Sequence, residues 1–138
     1  MSSPASVVTT DVELRLLVAR DESVRVPAQL HYAVSDPYAV RVTFLSGADR
    51  VVEWTFARQL LTDGVAGAVG DGDVRVWPTA SDRGDAVCLA LTSPNGQALF
   101  EAPYAAVVEF LTATYLAVPT GGESAFIDID SELALLLS

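Results

Sequence analysis

Over residues 11–20 the chain alternates, with Val12, Leu14, Leu16 and Val18 set against Glu13, Arg15, Leu17 and Ala19. A period of two predicts a strand with one wet face. Residues 24–34 continue in the same style, with Pro27 placed at a bulge or a sheet edge. The stretch "SDPYA" that follows reads as a turn, because Pro37 fixes its own φ and pushes Asp36 toward extended geometry. Residues 40–46 and 50–56 then alternate around "GAD" and predict a hairpin. Val40, Val42 and Phe44 fall on one face of it, and Val52, Trp54 and Phe56 share that pattern on the partner strand.

At residue 57 the period changes. "ARQLLTDG" (57–64) can make two helical turns, with Gly64 as the stop, and 65–73 reads as a flexible connector. Three further strands are predicted at 74–78, 86–92 and 97–102. "SDRGD" separates the first two, and "SPNG", with its Asn95-Gly96 hairpin signal, the last two. Residues 103–118 predict a helix that opens on Pro103 and cannot pass Pro119. Its helical stripe is Tyr104, Val107, Val108, Leu111 and Tyr115. A short terminal helix over 131–138, capped from Asp128 or Asp130, completes the pattern. The expected class is α+β: antiparallel sheet of about seven strands, able to curl toward a barrel, with a short middle helix and C-terminal helices. One domain over 11–138 is expected, preceded by a flexible polar lead-in over 1–10.

Composition narrows the partners. The 138 residues are 51% hydrophobic, ample for a core at this size. No window approaches ~18 consecutive apolar residues, and residues 1–10 lack the basic and apolar regions of a secretory signal, so a cytoplasmic protein is expected. The formal net charge is −10, and all eight basic residues are arginines scattered along the chain. Nucleic-acid binding depends on neutralising phosphates with Lys or Arg, so a nucleic-acid partner is disfavoured, as is an anionic membrane surface.

Candidate chemistry is sparse. His31 is the only histidine and Cys88 the only cysteine, which leaves no base beside a nucleophile and no zinc ligand set. Cys88 lies in "AVCLAL" and reads as a small buried hydrophobe. "DGD" (71–73) resembles the opening of a calcium loop, but strand residues follow where further acidic ligands are needed. Glu53, Glu101 and Glu109 lie on separate elements, and Trp54 and Trp77 read as core. The expectation is a non-catalytic protein without metal or cofactor.

Five stretches in order, "DPYAVRVTF" (36–44), "VEWTFARQLL" (52–61), "GDVRVWP" (72–78), "LFEAP" (99–103) and "FIDIDSELALLL" (126–137), resemble the SsgA-like sporulation-specific cell-division proteins of actinobacteria, and among them the SsgB-type members. The resemblance implies a regulator that acts by protein contact at division septa, with SsgA-like paralogues, to recruit the tubulin-like protein FtsZ and promote its assembly. It also implies a fold similar to the plant Whirly proteins and a homo-oligomer, a trimer. A Whirly-type single-stranded nucleic-acid-binding module is the alternative, although this lysine-free chain lacks the lysine-rich motif of those proteins. For the partner or oligomer interface the expected residues are Tyr104, Val108, Leu111 and Tyr115 on the long helix, with Leu133, Leu136 and Leu137 at the end of the chain.

Overall fold

The alternating first half folds as a meander of four antiparallel strands, β1 (Val7–Ala19), β2 (Glu22–Ala33), β3 (Ala39–Leu45) and β4 (Val51–Ala57). Helix α1 (Arg58–Ala66) leads into a second meander, β5 (Val69–Asp71), β6 (Val74–Ser81), β7 (Gly84–Ser93) and β8 (Gly96–Pro103). Helix α2 (Tyr104–Ala117) follows. The computed structural model describes residues 6–19, 22–45, 51–81, 84–94 and 96–123. The predicted terminal helix, with Leu133, Leu136 and Leu137, lies outside them, as do Asp128 and Asp130.

One antiparallel sheet of eight strands results, in the order β4-β3-β2-β1-β8-β7-β6-β5. It is curled into a half-barrel, which is the α+β arrangement the pattern predicts. Among the described residues, the two meanders pair in backbone register where Arg15 faces Glu101 and Leu16 faces Phe100. Alternation decides the inside. Val12 and Leu14 of β1, Leu30 and Tyr32 of β2, Val40 and Val42 of β3 and Val87 and Leu89 of β7 are buried on the concave face. Val107, Phe110 and Leu111 of α2 and Leu60 and Leu61 of α1 close over them. At ~25 cal/mol per Å² of apolar surface, this layer is the main stabilising term of the fold.

Four local expectations change. Gly64 does not stop α1, which runs on to Ala66 and ends where Gly67 N–H donates to Asp63 O at 3.0 Å. Gly64 is instead a packing residue: a Cβ there would lie 2.2 Å from Val76 Cγ1 on β6. The 65–73 stretch is not simply a connector. It contains an eighth strand, β5, whose three residues are too short for alternation to register. "DGD" is the β5–β6 hairpin turn, with Gly72 at φ +60°. Strand β6 continues through Pro78, which pairs with Val87, as far as Ser81. Strand β5 covers β6 only as far as Val76, so Pro78 has a free edge on which its missing N–H costs no ladder bond. Finally, β1 begins at Val7, opposite Ala33, so residues 7–10 are paired strand and not lead-in. Pro27 pairs with Glu13 of β1 and lies one residue past the last described β2–β3 pair.

Candidate interaction surface

Helix α2 is apolar on nearly every side, with Glu109 as its one charge. Such a helix is normally enclosed, yet only one side of α2 is. Val107, Phe110, Leu111 and Thr114 face the sheet, and Leu111 retains 5% exposure. The opposite side carries Ala105, Glu109, Thr112 and Leu116, the last 81% exposed. Of the four residues expected here, Val108 borders this outer face and Tyr104 is half-buried at the helix start. Leu111 is core, and Tyr115 is turned toward α1. A 3.6-residue period cannot rank the faces of a helix that is apolar all round, which is why the sequence does not separate Leu111 from Leu116.

Tyr115 belongs to a cluster that sequence reasoning missed. Arg58, the first residue of α1, is 2% exposed. Its Nη1 donates to the carbonyls of Thr114 at 3.1 Å and Val118 at 2.8 Å at the end of α2, where Thr114 O also accepts the Val118 N–H. Its Nη2 donates to Glu123 Oε1 at 3.0 Å. The guanidinium lies 3.9 Å from the Tyr115 ring centroid and 5.0 Å from that of Tyr32. Thr62 Oγ1 donates to Arg58 O at 3.0 Å, so in the 2.6 Å contact between Thr62 and Tyr115 the tyrosine supplies the proton. Tyr32 OH donates to Pro37 O at 2.9 Å, and burial raises its pKa despite the nearby arginine. A lone buried charge is strongly unfavourable, and here fork, carbonyls, carboxylate and rings compensate it together. The signal in the sequence was slight: one arginine opening a helix immediately after a strand.

A second apolar surface lies at the other end of the concave face. The helices cover the sheet only as far as Phe44 and Phe100, whose rings stack at 4.6 Å between centroids. Beyond them a groove of about 410 Å³ is lined by Leu16, Val26, Phe44, Trp54, Leu91 and Phe100, with Ser93 and Gln97 as polar members. Among the described residues no charged side chain lines it. Trp54 is therefore half-buried groove wall, not enclosed core, and Val52 beside it is exposed. Trp77 is likewise half-buried, on the outer face within 5.9 Å of Arg75.

The remaining candidates have ordinary surroundings. Cys88 is buried between Trp77 and Glu101 in register, and burial, with Glu101 adding, pushes its thiol up to about 11. His31 sits on the outer face, its pKa lowered by desolvation and by Arg41. Among the described residues no cluster of three or more His, Cys, Asp or Glu side chains could hold a metal ion, and no helix is long and apolar enough to cross a membrane.

Comparison with known proteins agrees with this architecture. The family described as Streptomyces sporulation and cell division protein, SsgA, matches residues 26–123. The sporulation-specific cell division protein SsgB of Frankia casuarinae is 56% identical over 130 residues, covering 94% of this chain and 91% of its own. SsgB of Thermobifida fusca is 49% identical over the full length of both chains, and SsgB of Streptomyces coelicolor is 48% identical over 133 residues, 96% of this chain and 97% of its own. The crystal structure of an SsgA-like sporulation-specific cell division protein from Thermobifida fusca superposes with a TM-score of 0.86 at 48% identity, over 97% of this chain and 98% of that one. By sequence across nearly its whole length and by fold, the chain belongs to the SsgA family of sporulation and cell-division proteins and is similar to its SsgB members.

Proposed function

We propose that this protein is a non-catalytic regulator of sporulation-specific cell division that works by protein contact at the septum in the cytoplasm. It recruits FtsZ, promotes FtsZ filament assembly, and acts as a homo-oligomer, a trimer, with an SsgA-like paralogue. The observation that carries this reading is the near full-length identity to proteins named for sporulation-specific cell division. The outer face of α2 supports contact as the mode of action: exposed Leu116 and half-buried Val108 lie either side of Thr112 on a surface helix with one charge. Tyr104 flanks that face, while Leu111 and Tyr115 hold the helix beneath it.

FtsZ sedimentation with the wild-type chain and with Leu116→Glu and Val108→Glu tests the reading. Both variants are expected to keep the far-UV spectrum and to lose most of the gain in pelleted filaments. Sedimentation of FtsZ that is indifferent to the wild-type chain rejects FtsZ as the partner. A gain that survives in both variants removes the α2 face from the contact.

A further inference from the structure

The segment after α2 is fastened by one carboxylate. Pro119 to Gly122 close a four-residue turn, with Gly122 N–H donating to Pro119 O at 2.9 Å. Its third residue, Gly121, has φ +85°, a conformation that disfavours any side chain. Glu123 then folds back. Its Oε2 accepts from Gly121 N–H at 2.9 Å, and its Oε1 accepts from Arg58 Nη2 at 3.0 Å. Among the described residues, no other hydrogen bond or ion pair ties 119–123 to the domain.

The two ends of this tie are unequal. Arg58 is anchored without Glu123, through the carbonyls of Thr114 and Val118 and the rings of Tyr115 and Tyr32. Glu123, with its side chain 15% exposed, is the member that water can reach. We infer that residues 119–123 form a strap that opens as a unit of its own while the sheet and both helices stay folded, with the Glu123–Arg58 pair as its latch. The strap is also the covalent joint to everything that follows Glu123, so the latch controls how closely that joint is held to the domain. The groups that act on the carboxyl are Arg58 from α1, the Gly121 N–H of the turn and, through their mutual electrostatic effect, Tyr32 from β2. Its own backbone N–H holds the carboxyl below the usual range, with Arg58 and the Gly121 N–H adding, against the opposing effect of desolvation. A carboxylate favoured in the fold strengthens the latch above the usual carboxylate pKa and releases it as pH falls through the lowered value.

Amide hydrogen exchange on the full chain, read residue by residue by NMR, tests the strap in wild type, Glu123→Gln and Glu123→Ala. The expected result is a loss of protection of roughly tenfold or more at Gly121 and Gly122 in both variants. Val118, whose N–H donates to Thr114 O, and the amides of β7 and β8 are expected to keep theirs. Wild type is expected to show the same selective loss on acidification. Unchanged protection at Gly122 in both variants overturns the proposal, and so does a loss shared equally with β7 and β8.

Discussion

Replacing Gly64 by alanine sets two physical effects against each other, and the structure decides the sign. Gly64 lies in the last turns of α1, where alanine is favoured over glycine by ~1 kcal/mol on helix propensity alone. An added Cβ would, however, lie 2.2 Å from Val76 Cγ1 and 2.6 Å from Val76 Cβ, well inside van der Waals contact. Val76 is 0% exposed, and as a β-branched residue it has little χ1 freedom with which to retreat. Overpacking of this kind costs ~1–3 kcal/mol, and more where backbone must move. With both contact atoms so close, the upper part of that range applies, and net destabilisation of about 2 kcal/mol is expected after the propensity gain. At this chain length that corresponds to a fall in Tm of about 7 °C. Urea unfolding followed by tryptophan fluorescence measures it, and Val76→Ala supplies the control. If the overlap is the cause, the double variant Gly64→Ala/Val76→Ala is more stable than the sum of the two single effects by at least ~1 kcal/mol. A Gly64→Ala protein as stable as wild type, or additive behaviour in the double variant, refutes the reasoning.

Three further outcomes are expected. Arg58→Met leaves the Val118 carbonyl without its buried donor, takes the second donor from Thr114 O and removes the partner of Glu123, and should cost about 3 kcal/mol in a denaturant titration, whereas the same change at exposed Arg25 should be nearly silent. Cys88, with its thiol at about 11 against an ordinary 9.0, should react with iodoacetamide about a hundredfold more slowly at pH 8 in the folded protein than in urea. A labelled single-stranded oligonucleotide should remain free in a mobility-shift assay at low salt, because the net charge of −10 opposes phosphate binding; tight, salt-sensitive binding would restore the Whirly-type reading.

Strand alternation was the most legible part of this chain. It placed β2, β3, β4 and β8 to within a few residues, because inward and outward positions alternate along them. Strand β7, buried on both faces over 86–91, was marked instead by its apolar run between turn signals. What escaped were features fixed by distant contacts. Gly64 carries the local signature of a helix stop, yet its role comes from β6 packing against it. Pro78 carries the signature of a strand end, but β5 is too short to require its N–H. The Arg58 cluster joins residues from β2, α1, α2 and the turn beyond, and no spacing rule relates them. The residues expected at an interface were readable only as apolar, and α2, apolar on nearly all sides, needed its tertiary neighbours to show which of its residues face outward.

The narrow junction between β1 and β8 bears on how the chain reaches this shape. Each meander is built from hairpins between sequence neighbours and can form from local encounters, which are fast. Among the described residues, only Arg15 with Glu101 and Leu16 with Phe100 join them in backbone register, across most of the length of the chain. Closing so long a loop for so little pairing gains little until α2 has docked its Val107, Phe110 and Leu111 across both halves. Helix α2 is thus the clasp between the two ribbons, packed on β1 of one and on β7 and β8 of the other.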